Sequence, residues 1–383
     1  METRALLDLP SELLLLILEH CAFSELSAAR RVRPLRPLVR PVLRSALWRR
    51  RAANAAELQL QELVDNSFDG EALKGTSGGA VRCLQLQHDL LAAGSRDNVA
   101  RVFGLRTSTC FAEFVHPHWV GTVALSPDSS SLATGCDDCC VRIWSLEPAH
   151  QSDAPVVMRT RADITAGGAL VGLDWLDPSR LLSCSQSGAL TIWDVRDGSS
   201  TYGESLNAGP VGCFDALGGR AAVAGCVGCG MKSHTLRHLV VREAGFAPAH
   251  EIPSWGPVAS VSFDRAAASD GDGANDTVHH LVATGHPGKI GLWDLRLPPA
   301  QARVFRGLDG VGDSVRAVRL YAHLLVSAPA GERLSVWDLR APRKAAARLR
   351  AHDNNDALAL DAPRGRIACG GRVGGLRLFT TRF

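Results

Sequence analysis

The sequence lacks any apolar run that reaches the roughly 18 residues needed to cross a membrane. The apolar run Leu13–Leu18 is short and lies between Glu12 and Glu19. The opening residues, METRALLDLP, lack the charged region, the long apolar core and the small-residue cleavage site of a signal peptide. We therefore expect no membrane contact and a cytoplasmic location, with the nucleus as a second compartment.

Catalytic and metal-binding motifs are also missing. The chain has no Gly-x-Ser-x-Gly elbow, no Gly-x-x-x-x-Gly-Lys-Ser/Thr loop and no His-Glu-x-x-His helix. Zinc-ligand residue types occur at Cys226, Cys229, His234 and His238. Only four residues separate the cysteine pair from the histidine pair, far fewer than in a zinc finger. We predict a protein that is not an enzyme and has no cofactor or metal.

One β-hairpin pattern recurs along the chain. Each copy has an apolar run, a break rich in Gly, Ser or Asp, and a second alternating run that contains tryptophan near its end. The copies are Leu132–Leu146, Leu181–Arg196, Leu281–Arg296 and Leu324–Arg340. Alternating apolar and polar residues are typical of half-buried strands, and the small-residue break is typical of a tight turn. The recurrence predicts a repeat architecture.

Seven units of about 40 to 57 residues can be counted from Ala80 onward. Trp-Asp pairs begin at Trp193, Trp293 and Trp337. The second unit also has four residues at the spacing of a structural hydrogen-bond tetrad: His116, Thr134, Asp138 and Trp144. These features resemble the WD-repeat family, whose repeats end in Trp-Asp. The resemblance implies a mainly β fold, a seven-bladed WD-repeat β-propeller over residues 80–383.

The last unit needs a strand from elsewhere in the chain. Outer strands are predicted at Cys110–Phe114, Val156–Arg159, Arg303–Arg306 and Arg348–Arg350. Only four residues follow Phe379, and an open ring would leave an unpaired strand edge. We expect the missing outer strand at Asp69–Lys74, within a segment 57–79 that begins as a linker helix.

A short helical segment precedes the repeats. Pro10 suits the first turn of a helix, and Glu12 complements the helix dipole. The apolar stripe that follows must bury against another helix or another protein. The residues that determine the pattern are Leu9, Pro10, Glu12, Leu13, Leu14, Ile17, Leu18, Leu26, Val32, Leu47 and Trp48. The segment resembles an F-box, and we assign residues 1–56 to a small all-α F-box-like segment.

The F-box resemblance implies docking on a Skp-type adaptor and, through it, on a cullin ubiquitin ligase. The adaptor-binding residues that it implies are Leu9, Pro10, Glu12, Leu13, Leu14, Ile17, Leu18, Leu47 and Trp48. Pro34, Pro37 and Pro41 predict several short helices rather than one continuous helix in the middle of the segment. Residues 26–56 contain nine arginines and no acid, but Trp48 is the one aromatic residue there that could stack on a base, so no nucleic acid is expected.

The hairpin tips at one end of the propeller are candidate partner-binding positions, because rigid blades present these loops. Closure makes units one and seven neighbours, so Arg96 and Arg372 are expected to converge and to bind a carboxylate or phosphate. Trp119 and Trp255 are expected to supply aromatic anchors at the same end. We predict a substrate-binding site of Arg96, Trp119, Trp255, His286 and Arg372.

These inferences predict a substrate-recognition subunit of an SCF-type E3 ubiquitin ligase. The F-box-like segment would bind the adaptor, and the propeller would bind a protein substrate with a phosphorylated or acidic motif for ubiquitination and proteasomal degradation. One alternative is a non-catalytic WD-repeat scaffold whose N-terminal helices only cap the propeller. Another is a propeller enzyme with a site in the central channel.

Overall fold

A computed structural model gives the structure of the chain. It describes residues 68–73, 78–147, 156–159, 168–206, 210–217, 221–226, 235–242, 245–254, 256–265, 281–295, 303–306, 314–329, 331–339, 345, 347–351 and 355–381. The F-box-like segment 1–56, with all of its predicted adaptor-binding residues, lies outside the described residues. The predicted linker helix and Trp255 also lie outside them.

Seven antiparallel sheets of four strands each make up the described part of the chain. The first strand, β1 (Phe68–Ala72), belongs to the last sheet. Blade 1 contains β2 (Val81–Gln87), β3 (Leu90–Ser95), β4 (Val99–Gly104) and β5 (Thr109–Val115). Blade 2 contains β6 (Val120–Leu125), β7 (Ser131–Cys136), β8 (Cys140–Ser145) and β9 (Val156–Arg159). Blade 3 contains β10 (Leu170–Asp177), β11 (Arg180–Ser185), β12 (Ala189–Asp194) and β13 (Ser200–Ser205).

The remaining four blades follow the same order. Blade 4 contains β14 (Val211–Leu217), β15 (Ala221–Cys226), β16 (Thr235–Arg242) and β17 (Gly245–Pro253). Blade 5 contains β18 (Ser260–Phe263), β19 (Leu281–His286), β20 (Lys289–Asp294) and β21 (Arg303–Arg306). Blade 6 contains β22 (Val315–Tyr321), β23 (Leu324–Pro329), β24 (Arg333–Asp338) and β25 (Ala347–Arg350). Blade 7 contains β26 (Asn355–Asp361), β27 (Arg366–Gly371), β28 (Leu376–Thr381) and β1, and a short 3-10 helix, Ala362–Arg364, follows β26.

The first strands of neighbouring blades lie side by side around a closed ring, from β2 to β26 and back to β2. The fold is therefore a seven-bladed β-propeller, and the predicted mainly β class is confirmed. A glycine in the second strand lets the next blade pack closely. A Cβ at Gly94 would lie 2.8 Å from a Val120 methyl group, and a Cβ at Gly370 would lie 2.5 Å from one of Val81.

The ring closes where blade 7 meets blade 1. β1 pairs with β28 from Phe68↔Thr381 to Ala72↔Arg377, within the stretch where the sequence predicts the missing outer strand. Leu73 continues this contact, because its N–H donates to the Leu376 carbonyl at 3.1 Å and its side chain is 3% exposed. Blade 7 therefore contains a strand from the opposite end of the described chain.

Side chains satisfy the inner edges of several first strands, which face the central channel. The Gln85 amide oxygen accepts a hydrogen bond from the Leu125 N–H, and the Asp215 carboxylate accepts one from Phe263. Ser260 and Ser262 hydroxyl oxygens accept from Val318 and Leu320 at 3.1 and 3.2 Å. An exposed strand edge attracts other strands. These bonds protect the edges and join neighbouring blades.

Candidate functional site

The face of the propeller with the hairpin tips presents a cation–π pair between blades 1 and 2. We call this the tip face; it contains Arg96, Trp119 and Arg372. Arg96 follows β3, and its N–H donates to the Ala80 carbonyl at 2.9 Å. The Arg96 guanidinium carbon lies 4.7 Å from the centroid of the Trp119 ring. Trp119 remains 43% exposed, so the pair offers both a charge and an apolar surface.

Arg96 has no carboxylate partner among the described residues. Asp97, the acid next to it, pairs with Arg101 at 2.6 Å. The Asp137 N–H donates to the Trp119 carbonyl at 3.0 Å, which fixes the loop that bears the indole. The Arg96 guanidinium is therefore available to an acidic partner.

The exposed large hydrophobic side chains of the described residues occur in one part of the propeller. They are Phe111, Val115, Trp119 and Val373. Val115 ends β5, Trp119 lies in the loop to blade 2, and Val373 lies in the turn after β27, so these three are on the tip face. Exposed apolar groups beside charged groups are typical of partner-binding surfaces.

Arg372 shares one carboxylate with a second arginine. The Arg372 Nε donates to Asp356 Oδ2 at 2.8 Å, and the Arg316 Nε lies 3.5 Å from Asp356 Oδ1. Arg372 is about half exposed, whereas Asp356 is mostly covered. At the hairpin tips of blades 1 and 6, Asp97 and Glu332 pair with Arg101 and Arg350. Asp356 is shared by Arg316 and Arg372, and Arg96 has no carboxylate partner among the described residues, so arginines are in excess on this arc.

At the mouth of the channel, too, the charged residues lie on blades 6, 7 and 1. In six of the first strands the second residue forms a β-bulge, and Ala259 has the equivalent position in blade 5. These residues are Arg82, Gly121, Val171, Gly212, Ala259, Arg316 and Asp356. The charged ones occur on blades 6, 7 and 1, and the four consecutive blades between have uncharged residues. Arg82, Arg316 and Asp356 are not among the site residues predicted from the sequence. An alignment of the seven units at the bulge position shows that these three are its charged residues.

The predicted site role of His286 is wrong. His286 is 0% exposed, and its Nε2 lies 2.8 Å from the Thr284 hydroxyl. The Trp293 Nε1 donates to the same hydroxyl at 2.8 Å. Blade 5 has a two-residue turn at 287–288, so β19 extends through His286 and buries its side chain. His286 therefore stabilises blade 5 and does not face a ligand.

A related network positions the loop that bears Trp119. The His116 Nδ1 donates to the Phe114 carbonyl at 2.9 Å, because a carbonyl can only accept. The Nε2 is then unprotonated and accepts from the Thr134 hydroxyl at 2.8 Å, to which Trp144 Nε1 donates at 2.9 Å. Asp138, the predicted fourth member, pairs with Arg142 instead of His116. The network fixes the end of β5 immediately before the Trp119 loop.

Acidification is expected to destabilise the propeller through His116. Burial lowers the pKa of His116 to about 4, and the Arg142 charge acts in the same direction. An unfolded histidine takes up its proton near pH 6.5, so the unfolded state binds more protons between pH 6.5 and 4. We expect the free energy of unfolding to fall by about 3 kcal/mol over this range from this group alone. Denaturant unfolding at several pH values should show a shallower pH dependence for His116→Asn. Parallel curves for the two proteins would contradict this assignment.

The structure brings Arg96 and Trp119 together and places Arg372 on the adjacent blade, where it pairs with Asp356. Trp255 lies outside the described residues, and His286 is not part of the surface. No group of three or more His, Cys, Asp or Glu side chains among the described residues is placed to bind a metal ion. The helices described in the chain do not include one that is long and apolar enough to span a membrane.

Comparison with known proteins identifies one stretch of the chain as a WD repeat. The family model for the WD domain, G-beta repeat, matches residues 108–145. F-box/WD repeat-containing protein 4 of Mus musculus is 29% identical over 124 residues, which is 30% of this chain and 29% of that protein. The ribosome biogenesis protein WDR12 homolog of Oryza sativa subsp. japonica is 23% identical over 264 residues, 59% of this chain and 57% of that protein.

Solved structures agree on the fold. U3-55K and the RRP9 WD40 repeats each superpose with a TM-score of 0.65 and 16% identity, over 82% of this chain and 98% of theirs. The chain therefore has a WD40 repeat domain with a WD40-type propeller fold. Its homology to F-box/WD proteins lies in the WD region and spans less than a third of the F-box/WD relative, and no F-box domain is detected.

Proposed function

We propose that the chain is a non-catalytic protein-binding platform whose tip face binds an acidic or phosphorylated segment of a partner protein. The observation that supports this most strongly is the Arg96–Trp119 pair, a half-exposed indole beneath a guanidinium with no carboxylate partner. Aromatic and arginine side chains dominate the binding energy of protein interfaces. The pair therefore offers an anchor for a partner with apolar and acidic groups close together.

The charge on this surface favours an acidic partner. Arg96 and Arg372 lie at the hairpin tips of blades 1 and 7, and Arg316 lies at the mouth of the channel on blade 6. Among the described residues, Asp356 is the carboxylate that pairs with Arg372 and lies near Arg316. Arginine binds carboxylates and phosphates through two parallel N–H donors, which gives both affinity and orientation. Positive surface charge also steers acidic partners toward the face before contact.

The finer proposal is that this platform is the substrate-recognition subunit of an SCF-type ubiquitin ligase. Residues 1–56 would bind a Skp-type adaptor, residues 57–79 would connect them to the propeller, and the bound protein would be ubiquitinated for proteasomal degradation, in the cytoplasm or nucleus. Support comes from the F-box-like residues between Leu9 and Trp48 and from the likeness of the repeats to F-box/WD repeat-containing protein 4.

A scaffold without adaptor binding is the second candidate. The likeness to the ribosome biogenesis protein WDR12 homolog covers 59% of this chain, about twice the share covered by the F-box/WD relative. In this case the tip face would bind its partner in the same way, and residues 1–56 would only cap the propeller. Adaptor binding separates the two candidates.

A pull-down from full-length chains tests adaptor binding. We expect wild type to retain a Skp-type adaptor and Leu13→Ala/Ile17→Ala to retain at least about tenfold less, because each buried aliphatic truncation costs about 2 kcal/mol or more. Leu15→Ala/Leu16→Ala is the matched control, since helical spacing puts these leucines outside the predicted stripe. Absence of the adaptor from the wild-type pull-down would favour the scaffold.

A further inference from the structure

The seven first strands enclose a central channel that the proposed partner binding at the tip face does not use. Its cavity has a volume of about 260 Å³, and every blade contributes to its wall. A water molecule occupies about 30 Å³ in the liquid, so the channel has room for a compound of about nine non-hydrogen atoms. The channel can therefore admit a small solute but not a folded peptide segment.

Charges of both signs line the channel. The carboxylates are Asp174, Asp215 and Asp356 on blades 3, 4 and 7, and the arginines are Arg82, Arg265, Arg316 and Arg319 on blades 1, 5 and 6. Asp215 is already engaged, because it pairs with Arg265 and accepts the Phe263 N–H at 2.8 Å. Arg316 lies 3.5 Å from Asp356, so Arg82 and Arg319 are the arginines of this wall with which no described carboxylate forms an ion pair.

Arg319 has unused donor capacity in the middle of the channel. Its Nη1 donates to the Val318 carbonyl at 2.8 Å, and no carboxylate among the described residues pairs with it. Burial lowers the pKa of Arg319, the Asp215 charge opposes this shift, and the Arg265 charge adds to it. Arginine nevertheless stays protonated in proteins. The side chain is thus a covered cation whose remaining N–H groups face the cavity.

Arg82 is the second cation without a carboxylate partner among the described residues, and it lines the same cavity. Both guanidiniums lie near the Cys83 thiol. Burial raises the pKa of Cys83 to about 12, and the charges of Arg82 and Arg319 oppose this rise. Two arginines from blades 1 and 6, neither in an ion pair with a described carboxylate, therefore lie close to the same thiol in the channel wall.

We propose that the channel binds a compact phosphate compound, with its phosphate oxygens bound by Arg82 and Arg319. Two unneutralised positive charges match the charge of −1.5 to −2 that a phosphate group has at neutral pH. Guanidinium N–H groups match the geometry of phosphate oxygens. Because all seven first strands surround the cavity, the bound compound would also stabilise the closed ring.

Isothermal titration of the full-length chain with inorganic pyrophosphate, in about 0.15 M salt, tests the proposal. We expect saturable binding at one site and a concentration-dependent rise in the unfolding temperature. Arg319→Gln and Arg82→Gln should each weaken binding at least about tenfold, because a hydrogen bond to a charged group contributes about 1.5–3 kcal/mol. Arg319→Lys retains the charge but lacks the parallel N–H donors of a guanidinium, so its affinity for pyrophosphate should lie between those of wild type and Arg319→Gln.

Arg333→Gln is the matched control, because Arg333 is exposed on β24 and away from the channel. Undetectable binding to wild type overturns the proposal. Equal affinity of wild type and Arg319→Gln, or an equal loss in Arg333→Gln, also overturns it, because either result indicates nonspecific surface binding. Normal thermal unfolding of each variant without pyrophosphate excludes misfolding as the cause of a loss.

Discussion

Deletion of residues 1–78 is expected to lower the unfolding temperature of the propeller by about 10 °C or more, relative to a chain that begins at Ser67. The longer deletion removes β1, so β28 loses its hydrogen-bonded partner along five residues. It also removes Leu73, which packs in a core cluster with Leu91, Phe103 and Leu376. Loss of one buried leucine costs about 2–5 kcal/mol, before the lost strand pairing is counted.

The two deletions differ only in residues 67–78, so any contribution of the F-box-like segment cancels. Thermal unfolding followed by circular dichroism provides the measurement. In the full-length chain, Leu73→Ala should lower the free energy of unfolding by about 3 kcal/mol. Ala72→Ser, at an exposed neighbouring position, should leave it within about 0.5 kcal/mol. An unchanged cooperative transition in the longer deletion would show that β1 does not close the ring.

Arg96→Glu/Arg372→Glu is expected to weaken binding of an acidic or phosphorylated peptide at least about 100-fold. Each reversal removes a donor for a charge-assisted hydrogen bond, worth about 1.5–3 kcal/mol, and introduces repulsion. Arg96→Glu also removes the cation–π contact with Trp119. Fluorescence anisotropy of a labelled peptide gives the dissociation constants. Arg196→Glu is the charge-matched control, because Arg196 is exposed in the turn after β12, at the end of the propeller opposite the tip face.

Asp356→Asn should change affinity in the opposite direction. The Asp356 carboxylate neutralises Arg372 and lies near Arg316, so its loss makes both guanidiniums available to a ligand. Because Arg372 is about half exposed, solvent screens this pair, and we expect an affinity gain of about two- to fivefold. Weaker binding by Asp356→Asn would show that Asp356 itself contacts the peptide or orders the site.

Local patterns in the sequence predicted the repeated hairpins, and the resemblance to WD-repeat proteins predicted the propeller. Strand alternation and small-residue turns located the hairpins, and the predicted outer strands Val156–Arg159 and Arg303–Arg306 coincide with β9 and β21. The need to pair the edge of β28 placed a strand near Asp69–Lys74, where β1 lies. The hairpins depend on neighbouring residues, and the closing strand depends on the need to pair the edge of β28. Both can therefore be predicted from a single sequence.

Side-chain environments were harder to predict because they depend on hairpin geometry and on contacts between blades. Arg96 and His286 stand at the same distance before their unit's aromatic residue, yet Arg96 lies in a turn and His286 in a strand. The hairpin of blade 5 has a shorter turn, so its strand continues through His286. Asp356 is adjacent to Arg316 and Arg372 only because the ring brings blades 6 and 7 together.

Mass spectrometry of the proteins that co-purify with full-length chains is the most direct test of the account. We predict that Leu13→Ala/Ile17→Ala loses the Skp-type adaptor and keeps the propeller partner, whereas Arg96→Glu/Arg372→Glu keeps the adaptor and loses that partner. Arg196→Glu, at the opposite end of the propeller, should match wild type. The same set of proteins with wild type and with Arg96→Glu/Arg372→Glu would contradict partner binding at the tip face.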